Sequence, residues 1–306
     1  MAHTIPVPQT FTHSTRTHTS TIHWTCLGSP NSPLPPLILI HGTPWSSAVY
    51  SALATALSSH YRIYLYDHPG FGLSPPPTRV VSTGSADEDK MTDLDPSLTL
   101  RAAFSAALIA SWALPSPPHI LAHDNGGLVA LRLLLQHHIP IRSLCLIDVV
   151  VLPPFGLPFF KLVAENESVF RAIPAELQEG LVRAYIRSAA FNPLPEGVED
   201  MLCKPWVGGE VQEGRFLREM VQAHYRDTQG LEGTYADVGE GTPIKVIWGL
   251  EDKWIPVDTA GRVAEALGAR EVVRVQEAGH LIMYDQPGRL AVEVAEWLGK
   301  NGVEGV

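Results

Sequence analysis

The chain has 306 residues, 45% of them hydrophobic and 18% charged, with a formal net charge of −10. That length can bury one large α/β core with an elaboration, and the acidic balance leaves no basic face for nucleic acid or an anionic membrane. Three widely spaced cysteines (Cys26, Cys145 and Cys203) form neither a disulfide framework nor a zinc pattern.

In chain order, the N-terminus lacks the basic-then-apolar layout of a secretory signal, and no apolar stretch approaches the ~20 residues needed to cross a bilayer. A cytoplasmic setting is expected. Residues 11–25, rich in Thr, His and β-branched side chains, predict an opening hairpin. Leu37-Ile38-Leu39-Ile40 and Ile63-Tyr64-Leu65-Tyr66 then read as short apolar strands. The Pro-rich and charged stretch 75–97 predicts a mobile surface insertion. Strand Ile120-Leu121-Ala122 runs into a helix over 127–136, and Leu144-Cys145-Leu146-Ile147 follows as another strand, with Cys145 a buried small hydrophobe.

Residues 152–240 carry helical segments (175–188 and 213–226) without a convincing parallel strand. The last part alternates again: strand Ile244-Lys245-Val246-Ile247-Trp248, helix 258–267, strand Glu271-Val272-Val273-Arg274-Val275 and helix 289–298. Near-continuous apolar strands alternating with helices predict a mostly parallel sheet covered on both faces. The expected organisation is an α/β core of 1–151 and 241–306, interrupted by a helical cap of 152–240.

Chemistry concentrates at strand ends. In Ala122-His123-Asp124-Asn125-Gly126-Gly127 an apolar strand meets one acidic residue, small neighbours and an apolar helix. Small residues flank a nucleophile on such a sharp turn because the strained backbone leaves no room for larger ones. The alternative is that Asp124 only caps the helix. His41-Gly42-Thr43-Pro44 ends the strand at 37–40, and the backbone N–H groups of Thr43 and Asn125 are the candidate oxyanion donors. Asp67 and His68, in a glycine-rich turn, read as structural. Asp252, in Gly249-Leu250-Glu251-Asp252, and His280, after Ala278-Gly279, supply an acid and a base in the chain order nucleophile, acid, histidine.

These motifs resemble the branch of the α/β-hydrolase superfamily that contains epoxide hydrolases, haloalkane dehalogenases and haloacetate dehalogenases. The resemblance implies the α/β-hydrolase fold and an aspartate nucleophile that attacks an sp³ carbon, leaving an alkyl ester. His280 would activate water against that ester, with no metal or organic cofactor. Asp252 is favoured as the acid because its Gly249…Pro256 frame is complete. Asp148 resembles the site from which haloacetate dehalogenases supply theirs and stays as the alternative. Tyr225 resembles a cap tyrosine that donates a proton to the epoxide oxygen. The early cap has Phe159-Phe160 where a second tyrosine would stand, and Tyr185 is the substitute, without spacing to support it. Asn125 stands where haloalkane dehalogenases have Trp and haloacetate dehalogenases have Arg.

Epoxide opening therefore ranks ahead of halide displacement, ester or lactone hydrolysis, and ligand binding without turnover. Trp45, Phe159, Phe160 and Tyr185 are expected to line an apolar substrate site, with Trp206 a further aromatic that could face it. The partner expectations are a small-molecule substrate, no nucleic acid and no membrane, with a homodimer left open.

Overall fold

A computed structural model describes residues 4–28, 33–80, 98–153, 158–208, 216, 217, 219, 230–236 and 238–302. Nine strands form one sheet: β1 (Gln9–Ser14), β2 (His18–Leu27), β3 (Pro36–Ile40), β4 (Arg62–Tyr66), β5 (Thr78–Arg79), β6 (His119–His123), β7 (Ser143–Ile147), β8 (Ile244–Gly249) and β9 (Glu271–Val275). Their order is β1-β2-β4-β3-β6-β7-β8-β9, with β5 pairing β2. The predicted N-terminal hairpin is present as the antiparallel pair β1–β2, and β2 also runs antiparallel to β4. From β4 through β9 every pairing is parallel.

The central strands are apolar throughout because both faces are covered. Along β3, Leu37 and Leu39 enter one core cluster while Ile38 and Ile40 enter the other, the two-residue alternation of a pleated strand. Helices α1 (Ser51–Leu57) and α11 (Pro287–Lys300) pack together on the first side. On the opposite side, α2 (Leu98–Ser111) and α3 (Gly126–Leu135) pack together, and α9 (Asp258–Leu267) joins the same cluster. Strand β9 departs from the expectation of two covered faces. It ends the sheet, and its first four residues alternate between half-buried and exposed, with Val272 open to solvent and only Val275 buried.

Between β7 and β8 the described residues form helices and no strand. They include α4 (Pro158–Glu165), α5 (Glu167–Arg171), α6 (Ala175–Ser188), α7 (Val198–Cys203) and, leading into β8, α8 (Val238–Gly241). Val182, Tyr185, Ile186 and Trp206 from this insertion join the same cluster as the α1–α11 side of the sheet. The predicted helix 175–188 is α6. Of the helix predicted over 213–226 only Phe216, Leu217 and Glu219 are described, all three helical, and most of the insertion predicted over 75–97 lies outside the described residues. A short α10 (Ile282–Asp285) precedes α11.

Candidate active site

Strand β6 delivers Asp124 to a backbone conformation with φ +54, a left-handed setting that costs a non-glycine residue ~1–3 kcal/mol unless its surroundings enforce it. The enforcement is visible. The Asp124 N–H donates to Ile147 O at 3.2 Å, and its carbonyl accepts from Gly127 N and Val150 N, each at 3.1 Å. Close packing explains the small neighbours: a Cβ on Gly126 would lie 2.8 Å from the backbone oxygens of Ile40 and His41, and one on Gly42 would overlap the Asp124 carboxylate.

Asp124 does not serve as a helix cap. Asn125 takes the N-cap position of α3, without a side-chain capping bond. The Asp124 carboxylate turns instead to the oxyanion loop, where its Oδ2 accepts the Thr43 N–H at 2.7 Å. The other oxygen, Oδ1, lies 3.9 Å from His280 Nε2. Burial pushes the Asp124 carboxyl up to about 6, opposed by the His280 charge and by hydrogen bonds from the backbone N–H groups of Thr43 and Asn125. Of the two donors expected from the sequence, the Thr43 N–H makes a direct hydrogen bond to this carboxylate, and the Asn125 N–H contributes to stabilising its charge.

His280 is fully buried, and its Nδ1–H donates to Asp252 Oδ2 at 2.9 Å. The second Asp252 oxygen accepts the N–H groups of Trp254 and Ile255 at 2.7 and 2.9 Å, which fixes the carboxylate. Burial pulls the imidazole pKa down. The Asp252 charge and hydrogen bond outweigh it, Asp124 and Asp148 add to them, and the result is about 9. Asp148 is also fully buried, but its Oδ1 accepts the Gly249 N–H at 2.8 Å. Burial, then the Asp252 charge, holds the Asp148 carboxyl well above the usual range. Of the two acids left open by the sequence, Asp252 is the one hydrogen-bonded to the imidazole.

A further layer braces these groups. The Asn125 side-chain amide donates to Thr43 Oγ1 at 2.8 Å, and Arg101 Nη1 donates to the same oxygen at 3.3 Å. Arg101, buried over the Phe71 ring, is paired with Glu219. His123 Nε2–H donates to the His280 carbonyl at 2.8 Å. Asp67 and His68 are structural, as expected. Asp67 accepts from Ser47 and Leu73, and the His68 N–H donates to His41 Nε2.

Aromatic rings close over the centre. Trp254 stacks on His280 (centroids 4.9 Å apart), on Trp45 (5.6 Å) and against Tyr185 (4.3 Å). Phe159 and Phe160 sit 6.0 and 6.1 Å from Tyr185. The Tyr185 hydroxyl is buried and makes no hydrogen bond among the described residues. Burial, then the charge of Asp124, raises its pKa well above the ordinary phenol value. Trp206 is tied to the oxyanion loop, its indole N–H donating to Pro44 O at 2.8 Å. Tyr225 lies outside the described residues. Among the described residues no three His, Cys, Asp or Glu side chains group as metal ligands, and no helix is long and apolar enough to cross a membrane.

Sequence reasoning missed Trp254, although it stands two residues after Asp252 in a turn already singled out. It also missed Arg101 and the His123–His280 bond, for which no local pattern gives a signal.

The model of the alpha/beta hydrolase family matches residues 37–294. A pimeloyl-[acyl-carrier protein] methyl ester esterase of Aeromonas hydrophila subsp. hydrophila is 37% identical over 121 residues, which is 40% of this chain and 39% of that protein. The chain thus spans about two fifths of that relative's length. A cis-3-alkyl-4-alkyloxetan-2-one decarboxylase of Xanthomonas campestris pv. campestris is 23% identical over 282 residues, 87% of this chain and 88% of that protein. Among solved structures, an alpha/beta hydrolase fold protein from Burkholderia ambifaria aligns over 97% of this chain and 100% of its own, with 31% identity and TM-score 0.83. A haloalkane dehalogenase from Bradyrhizobium elkani aligns over 96% and 98% at TM-score 0.70 and 17% identity, a likeness of fold alone.

Proposed function

The chain belongs to the alpha/beta hydrolase family, and we propose that within it Asp124 is an alkylating nucleophile that opens an epoxide in a small, largely apolar substrate. One observation carries this reading: a carboxylate occupies the strained turn after β6, with one oxygen on the Thr43 N–H at 2.7 Å and the other facing His280 Nε2 at 3.9 Å. A serine in this seat would suit acyl transfer, whereas a carboxylate suits displacement at an sp³ carbon.

In this reading each oxygen has its own task. Oδ1, free of the oxyanion loop, attacks a ring carbon, and the carbon–oxygen bond of the epoxide breaks as the ester bond forms. The departing alkoxide takes the proton of the Tyr185 hydroxyl, which burial keeps in its phenol form. Oδ2 becomes the ester carbonyl oxygen, already on the Thr43 N–H. Esterification removes the Asp124 charge, one of the influences that hold His280 protonated, so the imidazole can release its proton, which returns through solvent to the Tyr185 phenolate. Neutral His280 then takes a proton from water as that water attacks the ester carbonyl carbon, and Thr43 and Asn125 N–H stabilise the oxyanion. Collapse releases a vicinal diol carrying the former Oδ1. We read the helical insertion of 152–240 as a cap that supplies Tyr185, Phe159 and Phe160, and the partner as a small molecule.

Single turnover in ¹⁸O-labelled water tests this. The first diol should contain no label at the newly formed hydroxyl, because its oxygen comes from Asp124. Label there from the first turnover means direct attack by water and rejects the ester.

The oxetanone decarboxylase similarity, which spans most of both chains, favours one second reading: a strained β-lactone opened at its sp³ carbon by the same Asp124. Its leaving group is a carboxylate, which needs no proton donor. Tyr185→Phe separates the two, slowing alkylation by an epoxide about a hundredfold if the phenol is a general acid and leaving β-lactone opening unchanged.

A further inference from the structure

Asp285, on α10, lies five residues after His280. Its Oδ2 accepts the N–H groups of Gly279 and Phe191, each at 2.9 Å, and its Oδ1 accepts the Asn192 N–H at 2.8 Å. One carboxylate thus joins the residue before the imidazole to the chain leaving α6. Beside it, the Leu281 N–H donates to Ala189 O at 3.0 Å. A Cβ on Gly279 would lie 2.8 Å from Ala189 O and 2.9 Å from Phe191 N, so only glycine admits this approach.

The same stretch of α6 holds the proposed acid. Tyr185 precedes Ala189 by one helical turn, and Ser188 accepts the indole N–H of Trp254 at 2.9 Å, while the Trp254 ring stacks on His280. The loop of the base and the helix of the acid are therefore parts of one bracket, with Asp285 as its fastening.

We propose that Asp285 is a positioning residue that registers α6, and with it Tyr185, against His280, so that acid and base keep a fixed separation about Asp124. The roles of Tyr185 and His280 in this proposal rest on the function proposed above. A carboxylate is suited to the task because both its oxygens only accept, and bonds from N–H groups to a charged acceptor are the stronger kind. An amide in its place would turn a donor toward at least one of the three N–H groups. A misplacement of about 1 Å at reacting groups can cost on the order of 100-fold in rate.

The test compares wild type with Asp285→Asn and Asp285→Ala and begins without substrate. Carbethoxylation of His280 by diethyl pyrocarbonate, read by peptide mass spectrometry, is slow in the wild type because the ring is fully buried. It should accelerate about tenfold or more in both variants, while His41 and His123, equally buried, keep their wild-type rates. With an epoxide substrate, kcat should fall by about 10- to 100-fold with KM within about threefold, and Asp285→Asn should cost much less when added to Tyr185→Phe than alone. Unchanged His280 labelling overturns the proposal, as does equal acceleration at His41 and His123, which marks general loosening. Because labelling needs no turnover, it decides the role of Asp285 even if no epoxide is hydrolysed. Unchanged labelling beside intact epoxide turnover rejects the bracket and leaves the Asp124 reading standing.

Discussion

Replacing Asp252 by Asn keeps the size of the side chain and removes the charge that faces His280 Nδ1 at 2.9 Å. In the native protein burial pulls the imidazole pKa down, and Asp252 is the main influence that reverses it, to about 9. Set against an ordinary histidine near 6.5, that balance amounts to about 3 kcal/mol in favour of the imidazolium. His280 must become imidazolium when it deprotonates the attacking water, so losing this support should slow ester hydrolysis on the order of 100-fold. An amide at 252 can also bind the wrong imidazole tautomer, which pushes the same way. Alkylation uses Asp124 directly and should change by less than about tenfold. Rapid-quench sampling with intact-protein mass spectrometry resolves both steps: Asp252→Asn should accumulate alkyl-enzyme, and Asp148→Asn should not. If Asp252→Asn cleared the ester at the wild-type rate while Asp148→Asn stalled, the acid assigned from the His280 hydrogen bond would be wrong.

Three further outcomes follow from the same geometry. Gly42→Ala puts a methyl group into the Asp124 carboxylate and should lower the alkylation rate by about 100-fold or more, as displacement of a reacting group does; stopped-flow single turnovers read it directly. Asp124 reacts as the carboxylate and titrates at about 6, so the pre-steady-state alkylation rate should rise with pH through that value and drop about tenfold per unit below it. The His280 pKa, raised to about 9, gives native-state stability that is complete below pH 6.5 and lost as pH rises through 9. Urea unfolding should show wild type losing about 3 kcal/mol over that window relative to His280→Gln.

Much of the site could be read from the sequence because strand ends announce themselves. Asp124, Thr43, Asp252 and His280 each follow a strand with a glycine within three residues, and glycine marks places where backbones must approach. The chain order of Asp124, Asp252 and His280 added the pairing. Ring-on-ring contacts left no such trace. Trp254 meets His280 and Trp45 only where loops from separate strand ends converge, and Tyr185 only where the insertion packs on them, and α6 shows which residue its turns aim inward only when its packing is known. Asn125 was informative in the sequence for what it is not. In the structure its amide is engaged with the Thr43 hydroxyl, so it braces the oxyanion loop. Arg101 reads locally as an ordinary helix residue, and its burial depends on Phe71 and Glu219 from distant segments. Strand β9 misled because three valines in five residues look like a covered strand, yet nothing pairs beyond it among the described residues.

The central claim is that Asp124 becomes covalently bound to carbon. His280→Gln removes the base while leaving the carboxylate and its Thr43 donor in place, so the ester should form and persist. After incubation with styrene oxide, intact-protein mass spectrometry should show a single adduct of the epoxide's mass, and peptide sequencing should place it on Asp124. An unmodified His280→Gln protein, under conditions in which the wild type converts the same epoxide to its diol, would contradict the account.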